Sequence, residues 1–231
     1  MKNIETRLVH LAIMQDGNRR WASAHGMKLW EGHKYGVSNF TRIAHSAFDK
    51  GIPFVTFWAL SVDNIKKRTP EELSNLFSYI KSELSKSEFV DDLLRRDIRL
   101  RVVGKWRDFI DDSELKRTIT ELENTTIGCR RFHLTVLFAY DGKMEMLEAI
   151  RNIHGPISAI TLKESLWTSF LPPVDLVIRT GGEPHWSAGF MMWLTADSQL
   201  YFTETKWPDF NEKELGKAVE DYNSRGRRYG K

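Results

Sequence analysis

The sequence has very little cysteine and no long apolar run, and each lack excludes a class of protein. Cys129 is the only cysteine among 231 residues, so an intrachain disulfide is impossible, and no cysteine–histidine spacing is typical of a zinc site. No stretch approaches the roughly 18 apolar residues of a membrane span, and the first ten residues lack the apolar core of a signal peptide. These absences predict a cytoplasmic protein with no transmembrane segment.

Several common functional signatures are also missing. The chain has no G-x-x-x-x-G-K-[ST] phosphate loop, no G-x-G-x-x-G after its first predicted strand, and no G-x-S-x-G hydrolase elbow. The net charge of +3 is too mild for a nucleic-acid binder, and the aromatic residues are not interleaved with basic ones. We therefore expect no nucleic-acid partner, whereas a mildly basic chain suits small anionic substrates.

Short apolar runs alternate with stretches of helical spacing. The runs predict strands at residues 8–14, 54–60, 98–103, 133–139, 174–178 and 200–202. Thr69 to Glu72 form a capping box with proline at the first helical position, which starts a long helix. Further helices are predicted to end at Gly51 and to cover residues 112–124, 144–153 and 212–223. Strands that alternate with helices indicate an α/β fold with a mostly parallel six-stranded sheet. No linker divides the chain, so we expect a single domain over residues 1–231.

Polar residues follow three of these strands. The first runs into Gln15-Asp16-Gly17-Asn18-Arg19-Arg20, the second into Ser61, Asp63 and Asn64 with Lys66, Lys67 and Arg68 behind, and the fifth into Arg179-Thr180-Gly181-Gly182-Glu183. The carboxyl ends of parallel strands form the ligand-binding edge of such sheets. Arginine holds phosphate oxygens in a fork, and Asp16 offers the oxygen ligand that Mg2+ prefers. Each segment alone also fits a solvated turn, but together they predict a polyanion site.

These segments resemble the motifs of the cis-prenyltransferase (undecaprenyl diphosphate synthase-like) family. The resemblance is carried, in order along almost the whole chain, by HLAIMQDGNRRWA, Gly32-His33-Lys34, FWALSVDN, VDLVIRTGGE, Ser187, LYFTETKWPDF and Arg228-Tyr229-Gly230. It implies a homodimer whose subunits have a parallel sheet flanked by helices and an apolar tunnel. It also implies a Mg2+-dependent prenyltransferase that acts on small isoprenoid diphosphates.

The resemblance assigns expected roles to individual residues. Asp16 would hold Mg2+ and would act in catalysis with Ser61 and Asn64. The allylic diphosphate would contact Gly17, Asn18, Arg19, Arg20 and His33. The second substrate would contact Arg179, His185, Ser187, Arg228 and Gly230, with Arg228 reaching the partner subunit's site. The implied chemistry is ionisation of the allylic C–O bond, followed by capture of the cation by an alkene of the second substrate.

Four positions depart from the family pattern. His185 and Gln199 stand where the family usually has an arginine and a metal-binding glutamate, and Leu29 and Ile65 replace an arginine and an aromatic residue. The first two changes would weaken the grip on a second diphosphate, because a histidine lacks the bidentate fork of arginine.

The weaker grip leads us to hypothesise an unusual acceptor. One version is a second allylic diphosphate joined head-to-middle, as in lavandulyl-type synthases; another is a non-diphosphate acceptor such as an aromatic ring. An ordinary short-chain synthase that uses isopentenyl diphosphate is the alternative. A non-catalytic subunit of a prenyltransferase pair is a further one, although the intact Asp16-Gly17-Asn18 argues against it.

Two further expectations concern single side chains. Phe57 and Trp58 would shorten the predicted tunnel if their rings face it, and would be core residues if they face the helices. Gln15, which replaces a usual apolar residue, is expected to point its amide to solvent.

Overall fold

The computed structural model describes residues 8–225. Six strands form one sheet in the order β3-β4-β2-β1-β5-β6, and the neighbouring strands are all parallel. The strands are β1 (His10–Met14), β2 (Phe54–Ser61), β3 (Ile98–Val103), β4 (Phe132–Tyr140), β5 (Leu176–Arg179) and β6 (Gln199–Phe202). The predicted α/β class and parallel six-stranded sheet are therefore confirmed.

Helices flank this sheet. They are α1 (Asn18–Ala24), α2 (Gly32–Asp49), α3 (Val62–Lys67), α4 (Pro70–Leu84), α5 (Ser87–Arg95), α6 (Trp106–Phe109), α7 (Ser113–Thr125), α8 (Gly142–Asn152), α9 (Ala159–Ser165) and α10 (Glu212–Ser224). The Thr69 hydroxyl accepts the Glu72 N–H at 3.2 Å, so α4 starts where the capping box predicted. Within residues 8–225, no helix combines the length and the apolar character needed to cross a bilayer.

The two faces of the sheet bury different parts of the core. Ile13, Phe57 and Ile178 belong to a cluster with apolar residues of α2 and α10. Met14 and Val177 belong to another cluster, which includes residues of the segment 166–194. Successive strand residues point to opposite faces, so the position of a side chain along its strand decides which of the two layers it contacts.

The strand order also decides where a ligand can bind. β1 lies between β2 and β5, so the three strands that polar residues follow are direct neighbours. The chain winds from β1 towards β2 on one side and places β5 and β6 on the other. An open parallel sheet leaves a crevice where its order reverses in this way.

Candidate active site

A cleft of about 870 Å3 lies at the carboxyl ends of β1, β2 and β5. This volume is within the range of roughly 300–1,000 Å3 that is typical of small-molecule sites. The structure brings to this cleft all the predicted site residues that it describes, namely Asp16, Gly17, Asn18, Arg19, Arg20, His33, Ser61, Asn64, Arg179, His185 and Ser187. Arg228 and Gly230 lie outside the described residues.

Arg179 is buried and forms hydrogen bonds with residues on both sides of the cleft. Its Nη2 donates to Asp16 Oδ2 at 2.8 Å, and its Nη1 donates to the Ser187 hydroxyl at 2.8 Å and to the His185 carbonyl at 2.6 Å. The side chain of Arg179 is only 7% exposed, against 35% for Asp16. Arg179 therefore joins the end of β1 to the loop that follows β5, and the carboxylate still reaches the cleft.

The backbone turn at Asp16 is stabilised by hydrogen bonds with Thr180 and by the conformation of Gly17. The Asp16 N–H donates to the Thr180 hydroxyl at 2.9 Å, and this hydroxyl donates to the Asp16 carbonyl at 2.7 Å. Gly17 has a φ of +102°, and a Cβ at this position would lie 2.9 Å from Lys206 Cβ. Only glycine takes such a conformation without strain, so the turn that presents Asp16 requires Gly17.

The groups around Asp16 bear on whether it can hold Mg2+. Its Oδ1 lies 3.2 Å from Arg20 Nη2, and Arg20 Nη1 donates to Glu183 Oε1 at 3.0 Å. Among residues 8–225, no group of three histidine, cysteine, aspartate or glutamate side chains could form a complete metal cage. Mg2+ is commonly held by one or two carboxylates together with substrate phosphates. A Mg2+ at this position would have Asp16 as its protein ligand, and diphosphate oxygens and water would complete its coordination.

A second cluster of charges lies on the His33 side of the cleft, around the buried Glu72. Glu72 Oε1 lies 3.1 Å from His33 Nε2, 3.4 Å from Arg68 Nε and 3.8 Å from Arg19 Nε. Burial, and then the charge of Arg68, lower the pKa of His33 to about 4, although Glu72 opposes both. His33 is thus neutral near pH 7, and Arg19 and Arg68 supply the positive charge.

Arg68 is a site residue to which the sequence analysis gave no role. It lines the cleft, its Nη1 is buried, and this atom has no partner among the described residues. Its neighbour Lys67 instead pairs with Asp63 and is 74% exposed. The run of basic residues after Asn64 was the available signal. It could not show which of them turns inward, because that depends on the six-residue helix α3, which was not predicted.

A smaller, apolar cavity of about 110 Å3 adjoins this site. Its walls include Val37, Phe40, Leu76, Val102, Ile119 and Phe138, from α2, α4, α7 and the sheet. Gln15, Asn18, His33 and Ala59 line both this cavity and the cleft. The expectation that the Gln15 amide faces solvent is wrong. Its Oε1 is buried at this junction and has no partner among the described residues.

Phe57 and Trp58, adjacent on β2, lie on opposite faces. Phe57 is fully buried, with its ring centroid 4.3 Å from that of Phe40 and 5.9 Å from that of Trp207, and it lines neither cavity. Trp58 lines the cleft. Phe57 is therefore a core residue, and only Trp58 contacts the space where a ligand would bind.

Two of the four departures from the family pattern also line the cleft, namely His185 and Leu29. His185 Nε2 lies 2.9 Å from the Ser187 hydroxyl. Gln199 pairs with Leu176 at the start of β5, whereas the cleft lies beside Arg179, three residues further along. That offset is about 10 Å along a strand, so Gln199 does not reach the cleft of its own chain.

The fold and the cleft define a class of protein. It is a parallel α/β protein in which an arginine-rich cleft at the carboxyl ends of the strands adjoins an apolar cavity. The chain belongs to the undecaprenyl diphosphate synthase family of prenyltransferases, whose family model matches residues 13–230. The resemblance noted in the sequence is thereby confirmed, and the protein is a prenyltransferase.

Relatives of this chain include enzymes with different products. An isoprenyl transferase of Treponema denticola is 36% identical over 228 residues, which cover 96% of this chain and 97% of the relative. A chloroplastic nerylneryl diphosphate synthase of Solanum lycopersicum is 34% identical, with 96% and 70% covered. The solved structure of lavandulyl diphosphate synthase from Lavandula x intermedia, in complex with dimethylallyl diphosphate, matches with a TM-score of 0.88 at 31% identity and covers 96% of this chain and 98% of that one.

Proposed function

We propose that this prenyltransferase uses Mg2+ to ionise a short allylic diphosphate and transfers the prenyl group to a second small isoprenoid. The observation that carries this proposal is the pairing of the two cavities. An arginine-rich cleft and an apolar cavity share the lining residues Gln15, Asn18, His33 and Ala59. This arrangement suits a molecule with an anionic head and an apolar tail.

The donor fits the His33 side of the cleft. Its diphosphate would contact Gly17, Asn18, Arg19, Arg20 and His33, as expected from the sequence, and also Arg68, whose Nη1 lacks a partner among the described residues. The cations among these residues, Arg19, Arg20 and Arg68, would stabilise the charge that develops on the leaving diphosphate. Mg2+ bound at Asp16 would neutralise further charge on the same group. Neutral His33 has a single ring N–H, which Nε2 donates to Glu72 at 3.1 Å, so His33 would line the donor site without adding charge near pH 7.

The second substrate fits the Arg179 side. Arg179, His185 and Ser187 lie together there and would hold its polar end. Ser61 accepts the Asn64 N–H at 3.0 Å as the cap of α3, which leaves its own O–H free to donate. Ser61 and Asn64 both line the cleft, so we assign to them the relay of the proton that the acceptor loses, with an oxygen of the diphosphate as the base that finally takes it.

The size of the apolar cavity supports a short donor. Its volume of about 110 Å3 is well below the roughly 300–1,000 Å3 of typical small-molecule sites. The lavandulyl diphosphate synthase that resembles this chain holds dimethylallyl diphosphate, which supports a five-carbon allylic donor here. The predicted apolar tunnel corresponds in this proposal to the small cavity.

The likeness to lavandulyl diphosphate synthase favours a head-to-middle condensation with a second allylic diphosphate, and His185, which holds a diphosphate less firmly than arginine would, suits an acceptor site unlike that of an ordinary isopentenyl diphosphate extension enzyme. An ordinary short-chain synthase that uses isopentenyl diphosphate is the second candidate, and the relatives named as isoprenyl transferase and nerylneryl diphosphate synthase favour it. We also expect a homodimer, in which the tail with Arg228 and Gly230 would contact the partner's site.

Product analysis tests the proposal. The protein is incubated with Mg2+ and dimethylallyl or geranyl diphosphate, each with and without isopentenyl diphosphate, and the dephosphorylated products are identified by mass spectrometry and NMR. A branched product from the allylic diphosphate alone supports the head-to-middle reaction. A linear product that requires isopentenyl diphosphate supports the ordinary synthase. No product in any mixture, or undiminished product with EDTA, contradicts the proposal.

A further inference from the structure

Trp58 of β2 and Arg179 of β5 are at the same level along the sheet, with Met14 of β1 between them. Ile13 pairs with Phe57, so the next residues, Met14 and Trp58, are lateral neighbours, and Met14 in turn pairs with Arg179. Laterally paired residues point to the same face of a sheet. Trp58 and Arg179 therefore project from the same face, two strand spacings apart, which is roughly 9–10 Å.

The apolar cavity lies on the opposite face. Two of its wall residues, Val102 and Val136, pair with each other, and Val136 also pairs with Phe57. The cavity is thus on the Phe57 face, and the sheet separates it from Trp58. A donor tail in that cavity would not contact Trp58. The Trp58 ring borders the half of the cleft that contains Arg179.

The ring of Trp58 packs against Phe190, which in turn packs against Trp186. Its centroid lies 5.2 Å from that of Phe190, and Phe190 lies 6.0 Å from Trp186, whose indole N–H donates to the Phe190 carbonyl at 3.0 Å. The Trp58 Nε1 is itself buried and has no partner among the described residues. The part of Trp58 that faces the cleft is therefore its carbon surface.

We propose that Trp58 is a specificity-determining residue of the second-substrate site, where its ring packs against the hydrocarbon of an acceptor whose diphosphate Arg179 holds. This inference rests on the proposed function. The backbone positions of the two residues are roughly 9–10 Å apart, which leaves room for a diphosphate and the first carbons of a prenyl group. Burial of the prenyl group against an indole ring stabilises the bound acceptor. It compensates for the weaker grip of His185 on the anionic end.

A binding experiment separates contact with the hydrocarbon from contact with the phosphates. The donor site is first filled with dimethylallyl thiolodiphosphate, an analogue that does not ionise readily, in the presence of Mg2+. Isopentenyl diphosphate, dimethylallyl diphosphate or inorganic pyrophosphate is then titrated into wild type, Trp58→Leu and Trp58→Phe by calorimetry. For Trp58→Leu we expect about tenfold weaker binding of both isoprenoid diphosphates, which is about 1.4 kcal/mol, and pyrophosphate affinity within twofold of wild type.

Trp58→Phe retains an aromatic ring, so it is expected to weaken isoprenoid binding only two- to threefold. It also serves as the test if Trp58→Leu does not fold, and an unchanged ratio of isoprenoid to pyrophosphate affinity in it would then overturn the proposal. Equal losses for all three ligands, or none, in Trp58→Leu would overturn it too. If wild type binds no isoprenoid diphosphate at all, the proposed function fails and this inference fails with it.

Phe57→Leu is the matched control, because it truncates the neighbouring ring on the same strand but on the other face. We expect it to lower the melting temperature, since Phe57 is fully buried, and to leave the ratio of isoprenoid to pyrophosphate affinity unchanged. If Phe57→Leu shifts that ratio as much as Trp58→Leu does, the effect comes from the packing of β2, and Trp58 has no role in specificity.

Discussion

Arg179 and Asp16 form an ion pair, with 2.8 Å between Nη2 and Oδ2, at the point where β1 and β5 end side by side. The arginine is buried, whereas the carboxylate is partly exposed to the cleft. A buried guanidinium that loses its carboxylate is left with uncompensated charge. Asp16 therefore contributes to the positioning of Arg179 as well as to its expected part in binding Mg2+.

Asp16→Asn is expected to reduce kcat at least about a hundredfold, because it removes charge stabilisation at the leaving diphosphate. It is also expected to lower the melting temperature, because Arg179 loses its ionic partner. Steady-state kinetics and a thermal melt of the same preparation check both effects.

Glu183→Gln is the control for this change. Glu183 pairs with Arg20, as Asp16 does, but it is 47% exposed and does not line the cleft. Its activity should stay within about threefold of wild type, in keeping with the small contribution of exposed ion pairs. Normal turnover by Asp16→Asn would remove Asp16 from the mechanism.

Arg68→Gln is expected to raise the KM for the allylic donor about tenfold or more. The reason is that Nη1 of Arg68 is buried at the cleft without a partner among residues 8–225, so a bound diphosphate would satisfy it. Lys67→Gln removes the adjacent positive charge, but Lys67 lies outside the cleft and pairs with Asp63. Its donor KM should stay close to that of wild type. Equal increases in the donor KM for the two variants would mean that donor binding depends only on the net positive charge and not on the position of Arg68.

His33 gives a prediction about pH and stability. Its pKa is about 4 in the folded protein and about 6.5 in an unfolded chain. As the pH falls, His33 is therefore protonated in the unfolded state before it is protonated in the folded state. The contribution of neutral His33 to the free energy of unfolding is complete above pH 6.5 and is lost as the pH falls from 6.5 through 4. The loss is on the order of 1–3 kcal/mol.

Urea unfolding of wild type and His33→Gln between pH 7.5 and 4.5 checks this expectation. The wild type should lose more stability than the variant as the pH falls below 6.5. His10, whose pKa burial also lowers to about 4, titrates in both proteins and cancels from the difference. Parallel curves for the two proteins would show that folding does not lower the pKa of His33.

The sheet could be predicted from the sequence because its signal is local. In the run 98–103, apolar residues alternate with Arg99 and Arg101 as in a strand with one buried face, and the structure has a strand at these same residues. The short helices lack such a signal. In α3 the six residues VDNIKK contain only two apolar side chains, which is too few for a recognisable period, and the helix depends on the cap that Ser61 gives to Asn64.

The site could be predicted only in part, for a related reason. Asp16 and Arg179 follow strands, and the rule for parallel sheets brings strand ends together. The cluster of His33, Arg68 and Glu72 joins residues up to 39 positions apart. No pattern in the sequence shows that a glutamate in the first turn of α4 turns inward. The position of Gln199, away from the cleft of its own chain, likewise depended on the register of β5 with β6.

His185→Arg is expected to improve the use of isopentenyl diphosphate. The ring of His185 lies beside Ser187 in the half of the cleft that contains Arg179, and an arginine there would add a bidentate contact to the acceptor diphosphate. We expect kcat/KM for isopentenyl diphosphate to rise about tenfold relative to that for a second allylic diphosphate, measured by competition between the two acceptors.

Gln199→Glu is the informative companion to this change, because Gln199 lies outside the cleft of its own chain. If each subunit forms its site alone, Gln199→Glu should leave acceptor preference unchanged, and the double variant should behave like His185→Arg. A gain from Gln199→Glu alone would mean that Gln199 contributes to a site across the expected homodimer. If His185→Arg leaves the preference between acceptors unaltered, His185 does not select the acceptor, and the argument for an unusual acceptor loses its main support.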